Sequence, residues 1–384
     1  EAWFGYSRFN PIYKGFHAMR GDKAQHTADQ PTIFATHSTH KLLNALSQAS
    51  YIHIREGRGN VKPAQFSQAY MMHATTSPLY SIAASNDVAA AMMEGNQGIN
   101  LTTEVIEEAV EFRQAVARSL REAEQNNDWF FKPWNAQTVT CPRTGNQYDF
   151  ADAPTELLVK EQSCWTLDPQ DSWHGFSDLD ENWVMLDPVK VSLLTPGLNS
   201  DGSLQDNGVP AALVTAYLSS LGIVPTRTTD FQVMFLFSMG VTKGKWATLM
   251  NSLMSFKKHY DADALLSEVL PGLVETDPAL YGNMTMQQLG QRMISFLKTH
   301  NPSEQLNKAY STLPQMDMLP RDAYTQLVRD NTELVSIFEL AGRTAANSVI
   351  PYPPGIPMLM SGENFGDKNS PQIAYLQALQ AWDD

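Results

Sequence analysis

Cysteine is nearly absent: Cys141 and Cys164 are the only two in 384 residues. That scarcity excludes a disulfide-built scaffold and suits reduced thiols in a cytoplasmic protein. Basic residues are also few. The 27 Lys and Arg face 41 Asp and Glu, for a formal net charge of −14. A surface of that sign argues against a nucleic-acid partner gripped through its phosphates. It would attract a small cationic substrate. No apolar run reaches the length of a membrane span, so no membrane partner is expected, and no signal-peptide pattern opens the chain. The P-loop, G-x-G-x-x-G, G-x-S-x-G and H-E-x-x-H patterns are missing too, which removes the commonest nucleotide, hydrolase and zinc-protease signatures. No internal repeat or low-complexity tract is present.

What is there suits a soluble globular protein of two or three domains: 43% hydrophobic and 18% charged residues. The chain opens on Glu1 and closes on "LQALQAWDD" within helix-like sequence, so it is expected to be a piece of a longer chain. Residues 1 to about 85 alternate short apolar runs with polar loops. Strand character lies at Thr32 to Ala35 and again from Tyr51, where Ile52 and Ile54 alternate with His53 and Arg55. From Ser85, "SNDVAAAMM" has capping residues ahead of good helix formers. A long helix is expected over Thr103 to Gln125, with Val105, Ile106, Ala109, Val110, Phe112, Val116 and Leu120 on one face. Glu104, Glu107 and Glu108 would occupy its first turns, in line with the helix dipole.

Beyond it, strands are expected at Val189 to Gly197 and Phe231 to Gly240, and helices at Val209 to Gly222 and Thr242 to Tyr260. Strand, helix, strand, helix spells an α/β domain. The chain after Asp261 reads as helical and loop-rich.

Chemistry-bearing residues concentrate in "ATHSTHKLLNALSQAS", Ala35 to Ser50. His37, Ser38, Thr39, His40 and Lys41 crowd together just before Leu42, Leu43 and Leu46, which fall at helical spacing. A lysine acts as a nucleophile only when its amine is neutral, and an apolar pocket or a nearby cation lowers its pKa enough. Ser38 and Thr39 offer hydroxyls where a phosphate could sit. A lysine beside a phosphate cup is what pyridoxal phosphate requires. The same residues also describe a capped helix start with a solvated lysine, and the pattern alone leaves both readings open. His37, His40, His53 and His73 raise zinc as a rival, although no carboxylate stands at matching spacing. The 17 methionines, Met71-Met72 and Met92-Met93 included, read as core filler. Asp180-Glu181 reads as a solvated turn and Trp173 to Phe176 as packed aromatics.

"ATHSTHKLLNALSQASYIHIREGRG" closely resembles the cofactor-lysine segment of the bacterial inducible Orn/Lys/Arg decarboxylases. The resemblance runs the whole chain, through "EAWFGYSRFNPIY", "QAYMMHATTSPLY", "WFFKPWN", "DSWHGF", "GIVPTRTTDFQVMFLFSMGVTKGKW" and "NSVIPYPPGIPMLMSGENFGDKNSPQ". The wording around S-x-H-K is most similar to the arginine-specific branch.

The resemblance implies an α/β fold of the pyridoxal-phosphate-dependent transferase type (aspartate aminotransferase, fold type I). Residues 1–85 would be the remnant of the large cofactor domain, 86–262 a small α/β domain and 263–384 a truncated C-terminal α+β domain. It implies that Lys41 binds the cofactor covalently, and that Ser38 and His40 lie at its phosphate and beside the lysine. Trp3 would lie near the ring, while Thr76 and Ser77 would reach the cofactor phosphate of a partner subunit. His40 or Lys41 would return a proton to the substrate. The activity implied is decarboxylation of L-arginine to agmatine and carbon dioxide, which consumes a proton and suits acid resistance, in a homodimer that assembles into a decamer. Repelling carboxylates would relax in acid and favour that assembly.

A guanidinium needs a planar acceptor, and Asp230 in "TRTTDF" is the candidate; a strand-end turn residue is the other reading of Asp230. The family aspartate that pairs with the pyridine nitrogen precedes E-A-W, and this chain begins at Glu1. The isolated chain is therefore expected to bind no cofactor and to expose apolar surface. Lysine or ornithine decarboxylation, a fold type I aminotransferase and a non-catalytic oligomerisation module are the alternatives. Product identity separates the enzymes from one another, and cofactor binding separates them all from the module.

Overall fold

In this computed structural model, residues 28–383 are described apart from 30, 177, 182, 183, 200, 201 and 353. Trp3 lies outside the described residues. The chain divides into two compact units. One comprises Glu1–Leu193 and Phe235–Asn251, the other Leu194–Met234 and Ser252–Asp384.

Among the described residues, the first unit opens with two alternating strands, β1 (Ile33–Ser38) and β2 (Ser50–Arg55), paired antiparallel with Ile33 opposite Arg55 and Ser38 opposite Ser50. A single turn, α1 (Thr39–Leu42), follows β1. Helices α2 (Pro63–His73) and α3 (Tyr80–Met92) come next, then α4 (Gly95–Gln125). Helix α3 begins before the expected Ser85 start. Ser85 is an interior residue whose hydroxyl donates to the Ile82 carbonyl at 2.7 Å, so it satisfies the helix backbone without capping it.

Helix α4 also begins earlier than Thr103, and no acidic residue lies in its first turn, so the expected dipole match of Glu104 to Glu108 does not hold. Gly95, Asn96, Gly98 and Asn100 have poor helix propensity, so the apolar pattern marks no helix ahead of Thr103. Gly98 is needed there: a Cβ would stand 2.1 Å from the Met93 carbonyl oxygen. The apolar face is as expected, with Ala109, Val110, Phe112 and Val116 buried.

The core under α4 joins Val110 to the hairpin of β4 (Thr138–Thr140) and β5 (Gln147–Asp149) and to α5 (Thr155–Lys160), through Val139, Phe150, Leu157, Leu158 and Trp165. Gln114 ties it down by donating to the carbonyls of Phe150 and Ala153 at 3.0 and 2.8 Å. Phe112 packs on Phe237 and Trp246.

A four-stranded sheet runs in the order β3 (Lys132–Pro133), β6 (Lys190–Leu194), β8 (Gln232–Leu236), β7 (Arg227–Thr228). Helix α6 (Ala211–Ser220) falls within its expected range, and α7 (Lys243–Asp261) runs one residue past the expected end at Tyr260. Trp173, His174 and Phe176 form the expected aromatic cluster, with His174 buried.

In the second unit, Tyr217 of α6 meets Phe256 of α7, and Tyr260 donates to the Gly208 carbonyl at 2.7 Å. Helix α8 (Met286–His300) starts at a Thr285–Gln288 capping box. It is followed by α9 (Pro302–Ser311) and, near the end, α10 (Pro371–Asp383). A core of Ala309, Ala345, Met358, Leu359, Phe365, Ile373 and Tyr375 holds this part together. Between α9 and α10, strand pairing among the described residues is reduced to isolated bridges, such as Val349 with Leu359. The prolines of "IPYPPGIP" lack the amide donors a ladder needs.

Exposed apolar side chains occur both early in the chain and again beyond Leu313. Helix α2 buries none of its residues, and Met72, Leu79 and Tyr80 are 80%, 64% and 83% exposed. Met71 and Met72 are therefore surface residues, contrary to the core reading of the sequence. No helix among the described residues is long and apolar enough to cross a membrane.

Candidate active site

The antiparallel register brings Ser38 opposite Ser50, so Thr39 to Ala49 must close the hairpin between them. That requirement stops the helix expected through Leu46. Only one turn forms, closed by Leu43 N to Thr39 O at 3.0 Å, and Asn44 and Gln48 then take φ of 59° and 75° to bring the chain back. Asparagine tolerates that left-handed geometry better than most residues. Leu43 and Leu46 are consequently 36% and 52% exposed, and they form no apolar bed. Lys41 is exposed rather than buried, with no hydrogen-bond or ion-pair partner among the described residues.

His40 is fixed from one side. Its Nδ1 stands 2.9 Å from the Ala49 carbonyl, which can only accept, so the ring donates there. In the neutral ring this leaves Nε2 as an acceptor. Ser38 is exposed beside Lys41. Ser38, His40 and Lys41 thus come together at one end of the β1–β2 hairpin. An accessible primary amine next to a hydroxyl and an imidazole suits a carbonyl compound that also carries an anionic group.

Sequence reasoning missed what holds this hairpin end. Thr39, 3% exposed, donates through Oγ1 to Asn86 Oδ1 at 2.5 Å. Asn86 Nδ2 donates to the Ser50 carbonyl at 3.4 Å, and the Leu46 amide donates to Ser85 Oγ at 3.1 Å. The signal available was the S-N pair itself, taken there as a helix start.

The other named residues sit elsewhere. Thr76 and Ser77 are exposed between α2 and α3, where the Ser77 amide donates to Thr75 Oγ1 at 3.1 Å. Asp230 belongs to the second unit, half-buried. It accepts from the Ser303 hydroxyl at 2.6 Å, and its backbone carbonyl accepts from the Ala211 amide at 2.9 Å. The histidines do not assemble a metal centre: no metal-binding cluster of three or more His, Cys, Asp or Glu occurs among the described residues. His37 and His53 pair instead, with ring centroids 4.8 Å apart. Partial burial, and then the His53 imidazole, hold His37 below the ordinary histidine range.

Known proteins supply the context. Residues 1–245 match the Orn/Lys/Arg decarboxylase major domain, and residues 303–384 match the Orn/Lys/Arg decarboxylase C-terminal domain. The biodegradative arginine decarboxylase of Escherichia coli K12 is 64% identical over 383 residues, covering 100% of this chain and 50% of its own length. The lysine decarboxylase LdcA of Pseudomonas aeruginosa is 39% identical over 384 residues, covering 100% of this chain and 49% of its own. The solved structure of lysine decarboxylase A from Pseudomonas aeruginosa superposes with a TM-score of 0.84 at 39% identity, over 99% of this chain and 48% of that one. The chain spans about half the length of the curated relatives it matches.

Proposed function

This chain belongs to the Orn/Lys/Arg decarboxylase family, and we propose that it is part of a pyridoxal-phosphate-dependent enzyme that decarboxylates L-arginine to agmatine. The observation that carries this reading is the much closer likeness to the arginine decarboxylase than to the lysine enzyme. The donor set around Lys41 fits the cofactor: an accessible amine for its aldehyde and the Ser38 hydroxyl for its phosphate. Pyridoxal phosphate, when bound, supplies the electron sink for the pair left at Cα as carbon dioxide departs.

The chain's own residues do the rest. Lys41 would hold the cofactor, and its amine would be able to carry a proton to Cα. His40, held at Nδ1 by the Ala49 carbonyl, presents Nε2 to hold or pass a proton. Thr76 and Ser77 would supply hydroxyls to the phosphate of a partner subunit, and Trp3 would border the ring. Asp230 would receive the guanidinium. One of its oxygens already accepts from Ser303, and a carboxylate has lone pairs to spare for a bidentate partner. The rival reading of Asp230 draws on the same bond, which makes it a strut between β8 and the start of α9. An unchanged arginine KM in Asp230→Ala would leave only the strut.

Each turnover takes up one proton, which suits a cytoplasmic enzyme of acid resistance, assembled as a homodimer and then a decamer. The domain division proposed is 1–85 for the cofactor domain, 86–262 for the small domain and 263–384 for the C-terminal domain. Lysine and ornithine decarboxylation are the alternatives. The test is to offer arginine, lysine, ornithine and glutamate separately to the full-length protein with pyridoxal phosphate at acidic pH. Agmatine from arginine alone supports the proposal. Cadaverine or putrescine would keep the family and overturn the substrate. No amine from any of them would favour an oligomerisation module.

A further inference from the structure

The Lys41 hairpin end is not rigid by its own means. It has one helical turn, two left-handed residues and exposed leucines. An isolated two-stranded hairpin is marginal in water. Yet Thr39 and Ala49, which bracket the excursion, are 3% and 1% exposed. What fixes them comes from two adjacent residues of α3. Asn86 accepts from the Thr39 hydroxyl at the start of the excursion and donates to the Ser50 carbonyl just past its end. Ser85 accepts from the Leu46 amide midway, while its own proton goes to the Ile82 carbonyl.

We propose that Asn86 is a positioning residue for Lys41, acting through Thr39 and Ser50 to set where the amine stands, with Ser85 bracing the middle of the excursion. The inference rests on the reading of Lys41 as the cofactor lysine. Asn86 would act through its bonds to Thr39 and Ser50 and not by contact with cofactor or substrate. Its side chain is amphoteric, accepting at one end of the excursion and donating at the other, so it fixes their separation. Thr39 lies two residues from Lys41 and opens the same turn, whose closing bond runs from Leu43 N to Thr39 O. A shift of Thr39 therefore carries Lys41 with it. A buried hydroxyl that loses its acceptor moves to find another.

The experiment uses the full-length protein loaded with pyridoxal phosphate. Cofactor affinity, the pH dependence of the bound cofactor's visible band and the thermal midpoint are compared for wild type, Thr39→Val, Thr39→Ser, Asn86→Ala and the Thr39→Val/Asn86→Ala double variant. Thr39→Val and Asn86→Ala should each weaken cofactor binding about tenfold and displace the pH profile. Thr39→Ser, which keeps the hydroxyl, should behave as wild type. The double variant should be no worse than Asn86→Ala alone, which already lacks the Thr39 bond together with the Ser50 one. Should Asn86→Ala fail to fold, Thr39→Val tests the same bond in a nearly isosteric side chain. Wild-type affinity and pH profile in Thr39→Val, with only the midpoint lowered, would overturn the proposal. Borohydride reduction of the wild type separates the two claims. An adduct on Lys41 with unaffected variants defeats the role of Asn86 alone, and no adduct on Lys41 defeats both.

Discussion

Replacing Arg113 should destabilise the first unit more than any surface change, and lysine should not rescue it. The guanidinium is fully buried, and among the described residues no carboxylate bonds it directly. Its Nη2 donates to the Lys190 carbonyl at 2.8 Å, Nε to the Pro188 carbonyl at 3.3 Å, and Nη1 to Asn135 Oδ1 at 3.3 Å and the Trp134 carbonyl at 3.5 Å. Its Cζ lies 5.4 Å from the centroid of the Trp165 ring. Burial pushes its pKa down to about 9, with Asp187 pulling the other way, so it keeps its proton at pH 7.

Only the Lys190 bond is short, and the other three are weaker by geometry. Arg113→Met leaves these acceptors without a donor, at about 1–3 kcal/mol for each that stays dry. It also loses the ring contact, worth about 1–2 kcal/mol. Removing a buried charge returns several kcal/mol of desolvation, so the net loss is about 3 kcal/mol. Arg113→Lys keeps the desolvation cost and loses the fork that reaches several carbonyls at once, for a loss of similar size. At about 2–4 °C per kcal/mol for a large domain, both variants should melt about 6–12 °C lower by calorimetry. A lysine variant with the wild-type midpoint would show that charge alone matters, and the fork argument would fail. A neutral methionine variant would refute the whole account of this residue.

The two thiols should react in order. The Thr144 side chain, and then backbone bonds from Arg143 and Thr144, lower the Cys141 pKa, whereas burial, with Glu161 and Cys141 adding, pushes Cys164 up to about 11. Iodoacetamide near neutral pH should label Cys141 first, and equal labelling rates would contradict this. Hydrogen bonds from Thr344 and then Asn364 hold Asp317 below the usual carboxylate range. Its contribution is present above the unfolded aspartate pKa and is lost as pH falls through the lower native value. Asp317→Asn should therefore melt lower than wild type at pH 7, with the gap closing in strong acid. A gap that persists there would point to geometry rather than charge. Gly197 sits at φ 140°, and a Cβ would stand 2.0 Å from the Phe231 ring. Gly197→Ala should consequently cost about 2 kcal/mol or more in urea unfolding, and an unchanged midpoint would mean that the ring moves freely.

Elements with strong internal pattern were legible in the sequence. The alternation of Tyr51 to Arg55 gave a strand, and the apolar face from Ala109 to Val116 gave a helix, because each pattern reports one buried side. Boundaries failed where local composition and tertiary need disagreed. Gly95 and Gly98 disguised the first turns of α4, since Gly98 serves close approach to Met93 and Gly95 a φ of 60°, and neither serves propensity. Leu43 and Leu46 mimicked a helix face, but strand pairing on both sides of them required a turn. The candidate site was legible only in part, for the same reason. Ser38, His40 and Lys41 are contiguous and can be read off directly. The bond from Thr39 to Asn86 joins residues far apart in sequence, and no spacing rule announces it.

The central claim is that Lys41 holds the cofactor. Reducing the full-length protein with borohydride in the presence of pyridoxal phosphate, then mapping the modified peptide by mass spectrometry, tests it most directly. The account predicts a single stable adduct on Lys41, lost in Lys41→Ala. An adduct on another lysine, or none at all, would contradict it.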